Sequence, residues 1–126
     1  MLEIFQCMSC GKVVMVAREG AGQLVCCGNQ MSRQVENTTE ASTEKHIPVV
    51  EKGGEGIIVK VGSIPHPMEA AHSIQWIEVM SGSSLFVRGL KPGDRPEATF
   101  PVPSTAVKVR AYCNIHGLWS NKPHHK

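Results

Sequence analysis

Five cysteines divide four and one along this 126-residue chain. Cys7-Met8-Ser9-Cys10 and Cys26-Cys27 gather near the N-terminus, while Cys113 stands in Cys113-Asn114-Ile115-His116 near the other end. The first four form two pairs separated by fifteen residues, the spacing by which thiolates close a tetrahedral S4 site. A glycine follows each pair, Gly11 and Gly28, so the backbone is free to turn tightly and aim amide groups at the sulfurs. The vicinal Cys26 and Cys27 must splay to reach one ion. Zinc and iron both accept four thiolates, and spacing alone leaves a structural zinc knuckle and a redox iron centre open.

The fifth thiol has no cysteine left to partner, but it has histidines. His46, His66, His72 and His116 fall at strand ends or in Pro-rich loops, whereas His124 and His125 belong to the tail and are set aside as mobile ends. His66 lies in Ile64-Pro65-His66-Pro67-Met68, where the following proline forces an extended backbone and a rigid loop. Cys113 and His116, three apart with Gly117 following, are spaced to chelate one ion from a turn. A thiolate with several imidazoles is a ligand set for redox iron or copper more than for a passive staple.

Elements of period two must position these donors. Val107-Lys108-Val109-Arg110-Ala111-Tyr112-Cys113 alternates, placing Val109, Ala111 and Cys113 on one face of a strand with the thiol inward. Further β-branched runs are expected as strands at Val13–Val16, Ile47–Val50, Ile57–Val61, Ile74–Val79, Leu85–Val87 and Ala98–Val102. Gly53-Gly54, Ser81-Gly82-Ser83-Ser84 and Lys91-Pro92-Gly93-Asp94 separate them as turns. The expected fold is all-β: a small metal knuckle domain at residues 1–36, then an immunoglobulin-like antiparallel β-sandwich at 37–126. The first segment carries few large apolar side chains and needs metal ligation to fold. The polar run from Glu36 to Thr43 reads as a linker.

A net charge of +2 with scattered Lys and Arg argues against nucleic acid or an anionic membrane as partner. No run approaches the roughly 20 apolar residues that cross a bilayer, and no signal peptide opens the chain. Together with the odd cysteine count, this points to the cytoplasm and a reducing compartment rather than a disulfide framework.

Four segments in order, Glu44 to Val49, Val61 to Met68, His72 to Ile77 and Cys113 to Trp119, together with the N-terminal cysteine pattern, resemble the desulfoferrodoxin family of two-iron superoxide reductases. The resemblance implies a desulforedoxin-like Fe(Cys)4 domain with Cys7, Cys10, Cys26 and Cys27 as ligands. It also implies an Fe(His)4Cys centre, with His46, His66, His72 and His116 equatorial and Cys113 axial. Two irons per chain, superoxide as substrate, a rubredoxin-like electron donor and a homodimer follow from the same likeness. Ser73 is a departure, since the family often carries an aromatic residue after the third histidine. Four neutral imidazoles and one thiolate leave a ferrous ion with one net positive charge and an open position, which suits a small anion that is a one-electron oxidant. Glu44 and Lys45, beside His46, are the expected catalytic side chains: Lys45 attracts the anion and orders a proton-donating water, and the family implies that Glu44 occupies the open position in the ferric state. The rival classes are a non-catalytic metal-stapled binding module and an electron carrier.

Overall fold

The structure, a computed structural model, describes residues 2–38, 46–62 and 66–121. Among these residues every regular element is a strand. The chain divides into two compact units, Met1–Val35 and Glu36–Lys126.

The first unit holds β1 (Glu3–Gln6), β2 (Val13–Val16), β3 (Val25–Cys26), β4 (Asn29–Gln30) and β5 (Ser32–Arg33). An antiparallel sheet runs β2-β1-β5, and β3 and β4 form a separate hairpin. Cys27 and Gly28 make the two-residue turn of that hairpin with φ of 54° and 78°. Positive φ at both central positions defines a turn whose twist matches the flanking strands, and it sets the two vicinal thiols apart: Cys26 ends a strand while Cys27 is the first turn residue. Its buried apolar side chains are Ile4, Cys7 and Met31, a very small core.

The second unit holds β6 (Pro48–Lys52), β7 (Ile57–Val61), β8 (Ile74–Ser81), β9 (Ser84–Gly89), β10 (Glu97–Phe100), β11 (Lys108–Cys113) and β12 (Gly117–Ser120). One antiparallel sheet runs β10-β7-β6 and the other β12-β11-β8-β9. Their facing sides meet in one apolar cluster: Ile57, Val59 and Val61 of β7 and Phe100 of β10 pack with Ile74, Ile77 and Val79 of β8 and Val109, Ala111 and Cys113 of β11. This is the expected sandwich, with alternation clean along β7.

Alternation misleads at β11, whose other face is also buried: Arg110 and Tyr112 are as inaccessible as the core side. Arg110 donates to Glu78 at 2.7 Å and to Glu36 at 3.0 Å, while Tyr112 stacks on Trp76 at 4.5 Å. Glu36 also receives Lys108 at 2.8 Å, and Asn37 bridges to Trp119. The start of the polar run is therefore zipped to the sandwich by ion pairs and ladder bonds; residues 39–43 of it lie outside the described residues.

Candidate metal centres

Cys7, Cys10, Cys26 and Cys27 offer sulfurs that all lie within 4.8 Å of one another. Cys10 Sγ is 3.7 Å from Cys26 Sγ, and Cys26 Sγ is 3.9 Å from Cys27 Sγ. Sulfurs at about 2.3 Å from one ion in a tetrahedron stand about 3.8 Å apart, so these edges fit a metal and are far too long for a disulfide. Gly11, with φ of 84°, closes the first turn, its N–H donating to Cys7 O at 2.8 Å. The Cys10 N–H, directed at the Cys7 sulfur from 3.5 Å, draws the Cys7 thiol down to about 6. Hydrogen bonding with Cys7 and Cys10 pushes the Cys26 thiol up to about 12. Crowded thiols cannot all ionise unaided, and a dication at their centre supplies the missing charge.

The second cluster brings together His46, His66, His72, His116 and Cys113, again with donor atoms within 4.8 Å of one another. They arrive from separate places. His46 lies two residues before β6, His66 and His72 lie in the β7–β8 connection, and Cys113 ends β11. His116 closes the three-residue turn into β12, where Gly117 takes φ of 87°. A bulge helps aim them: Tyr112 pairs with Trp76 but Cys113 pairs with Ile74, so Gln75 is the extra residue of β8 beside the site.

Ring orientation is specific. His66 Nδ1 lies 2.7 Å from the Pro67 carbonyl oxygen, which places its proton there and leaves Nε2 with a free lone pair. His66 Nε2 and His72 Nε2 are buried without a hydrogen-bond partner among the described residues. Orphaned buried nitrogens on two rings of one cluster fit a metal ion that takes their lone pairs. His116 presents Nδ1 instead, 3.0 Å from His46 Nε2. Adjacent donors at right angles and about 2.1 Å from one ion stand about 3.0 Å apart, shorter than a tetrahedral edge. Burial first, then repulsion from His46, His72 and His116, holds the His66 ring down at about 4, neutral and ready to coordinate. Burial pushes the Cys113 thiol up against the pull of the His116 and Ile115 amides; the His116 N–H lies 3.4 Å from its sulfur. The Cys113 side is sealed in the core, His46 and His66 are buried and His72 half-buried, whereas His116 and Ile115 are exposed, so the cluster meets solvent at its His116 edge.

Sequence reasoning passed over two supports. Trp119 stacks on the His46 ring at 4.8 Å and donates Nε1–H to the His116 carbonyl at 3.1 Å, bracing two histidines at once. Asn114 bonds the backbone beside His72. Tryptophan at the end of a short strand carries no signal of such a role until the partner ring is located. Glu44, Lys45, His124 and His125 lie outside the described residues. No helix of the described residues is long and apolar enough to cross a membrane.

A small tetrathiolate module and an all-β sandwich holding a buried thiolate among four imidazoles define a non-haem metalloprotein with two centres. The family models "Desulfoferrodoxin" and "Desulfoferrodoxin, N-terminal domain" match residues 38–122 and 1–33, and the chain belongs to the desulfoferrodoxin family. It is 54% identical over 121 residues to a desulfoferrodoxin of Syntrophotalea carbinolica, covering 96% of each chain. It is 55% identical over 118 residues to a desulfoferrodoxin homolog of Methanothermobacter thermautotrophicus, covering 93% of this chain and 95% of that one. The crystal structure of the superoxide reductase from Treponema pallidum superposes with a TM-score of 0.78 at 28% identity, covering 97% of this chain and 98% of the other. The tetrathiolate group and the four-histidine, one-cysteine group fit two iron centres.

Proposed function

We propose that this chain is a superoxide reductase, reducing superoxide to hydrogen peroxide with one electron and two protons at iron held by His46, His66, His72, His116 and Cys113. The carrying observation is the five-donor cluster itself, with its sulfur buried and one of its histidines, His116, exposed. Ferrous iron bound there supplies the electron. Each other contribution belongs to the protein. His66 stays neutral near pH 7, which keeps its Nε2 lone pair available as a donor. The buried Cys113 thiolate, met by the His116 amide, offsets half the ion's charge and leaves a net attraction for a small anion. The exposed His116 edge is where water, the source of the two protons, meets the cluster.

Lys45 and Glu44 carry the roles the family resemblance gives them: Lys45 steers superoxide and orders a proton-donating water, and Glu44 would serve as a further ligand to ferric iron held there. The Cys7, Cys10, Cys26 and Cys27 centre, with every donor supplied by the protein, passes electrons or braces a homodimer. The exposed apolar side chains of the first unit, Met8, Leu24, Val25 and Val35, support the homodimer. A rubredoxin-like donor in a reducing cytoplasm completes the cycle.

Stoichiometry tests the reading. Pulsed superoxide should be consumed with one donor electron each and no dioxygen released; dioxygen release without a donor would make the protein a dismutase. Lys45→Ala should slow the encounter and flatten its ionic-strength dependence.

A further inference from the structure

We propose that Asn114 is a positioning residue of the second centre, setting His72 by gripping the main chain on both sides of it. Asn114 Oδ1 accepts the Ser73 N–H at 2.9 Å and Nδ2 donates to the Ala71 carbonyl at 3.1 Å. Its own N–H donates to the Ser73 carbonyl at 3.3 Å. The two remaining groups are taken within the turn: the His72 N–H donates to Glu69 O at 3.1 Å, and the Glu69 N–H donates to His72 O at 2.9 Å. Five consecutive main-chain groups, from the Ala71 carbonyl to the Ser73 carbonyl, are thus occupied, three of them by one residue.

The consequence is geometric. The two peptide planes flanking the His72 Cα carry four of those groups, and planes held at both ends fix φ and ψ between them. The direction of the Cα–Cβ bond follows, and with it where the ring can reach. His72 Nε2, inside the cluster, has no partner among the described residues that would orient it otherwise. Asn114 also stands between Cys113 and His116, so its grip ties the His72 turn to the loop bearing two other donors. The carboxamide offers the acceptor for Ser73 and the donor for Ala71 on two atoms of one planar group. Ser73 is buried with its amide used in this way, so a small side chain there leaves the clamp room to close.

The inference rests on the cluster being a metal centre, and the test separates the two. The full-length chain loaded with ferrous iron is challenged with a competing chelator, and the visible spectra of both ferric centres are followed. Asn114→Ala should lose second-site iron about tenfold more readily and shift the thiolate-to-iron band of that site, with the first centre's spectrum unchanged. In a His72→Ala background Asn114→Ala should add nothing, whereas in a His66→Ala background the tenfold loss should persist. Asn114→Asp, which keeps the acceptor but not the donor, should fall between and carries the same cycle if the alanine variant does not fold. Equal iron retention with an unshifted band, or an equal further loss in both backgrounds, would overturn the clamp. Failure of the unaltered chain to hold a second iron would instead overturn the metal-centre reading.

Discussion

The two units solve the same problem, converging soft donors on one ion, by opposite routes. In the first, four thiols come from two tight turns a short distance apart in sequence, and among the described residues the fold around them buries only Ile4, Cys7 and Met31 as apolar side chains. In the second, five donors come from three remote segments, and a sandwich with a continuous core stands beneath them. A local site makes its metal part of the fold; a dispersed site needs the fold first.

Stripping both metals is the sharpest way to break this comparison. Structural metal binding contributes on the order of 10 kcal/mol to small modules, so the first unit should lose its amide protection from hydrogen exchange while β7, β8 and β11 keep theirs. Equal loss in both units would erase the contrast. Next in size, Arg110→Met leaves Glu78 charged and fully buried, and should destabilise the second unit by about 3–5 kcal/mol in denaturant unfolding, with the first centre's spectrum unaltered.

Acid sharpens the comparison further. In the metal-free chain His66 binds its proton near 4 when folded and near its ordinary value of 6.5 when unfolded. Between those values the unfolded state holds more protons, so the second unit should weaken as pH falls through that window, by roughly 3 kcal/mol at its lower end, and be indifferent above it. His66→Gln should flatten that slope in a pH series of melts. The smallest effect is expected at Glu36. Burial works against its charge, but Lys108 and Arg110 together hold its carboxyl below the usual range. Glu36→Gln should cost about 1 kcal/mol at neutral pH, a difference that closes as pH falls through the carboxylate range.

Much of the site was legible before any coordinates. Cysteine pairs, turn glycines and the histidine-bearing loops each leave a local mark, because a turn or a chelating pair is decided within a few residues. Strands at Val13–Val16 and Ile57–Val61 have the predicted bounds, since their apolar runs end at turns. β12 went unread because Gly117–Ser120 is short and lacks β-branched residues. Arg110 reads as a solvent-facing charge until Glu78 and Glu36 are found around it, and the Glu36–Asn37 stretch reads as linker for the same reason.

By itself, the sequence determined the donor inventory, the period-two body and the family to which the chain belongs, because composition, spacing and alternation are properties of neighbouring residues. Only tertiary structure decided which nitrogen of each ring faces the cluster, that β11 is covered on both faces, and that Trp119 and Asn114 support the histidines. Those features depend on contacts between segments far apart in the chain, and side-chain period reports the geometry of one strand without reporting what packs against it.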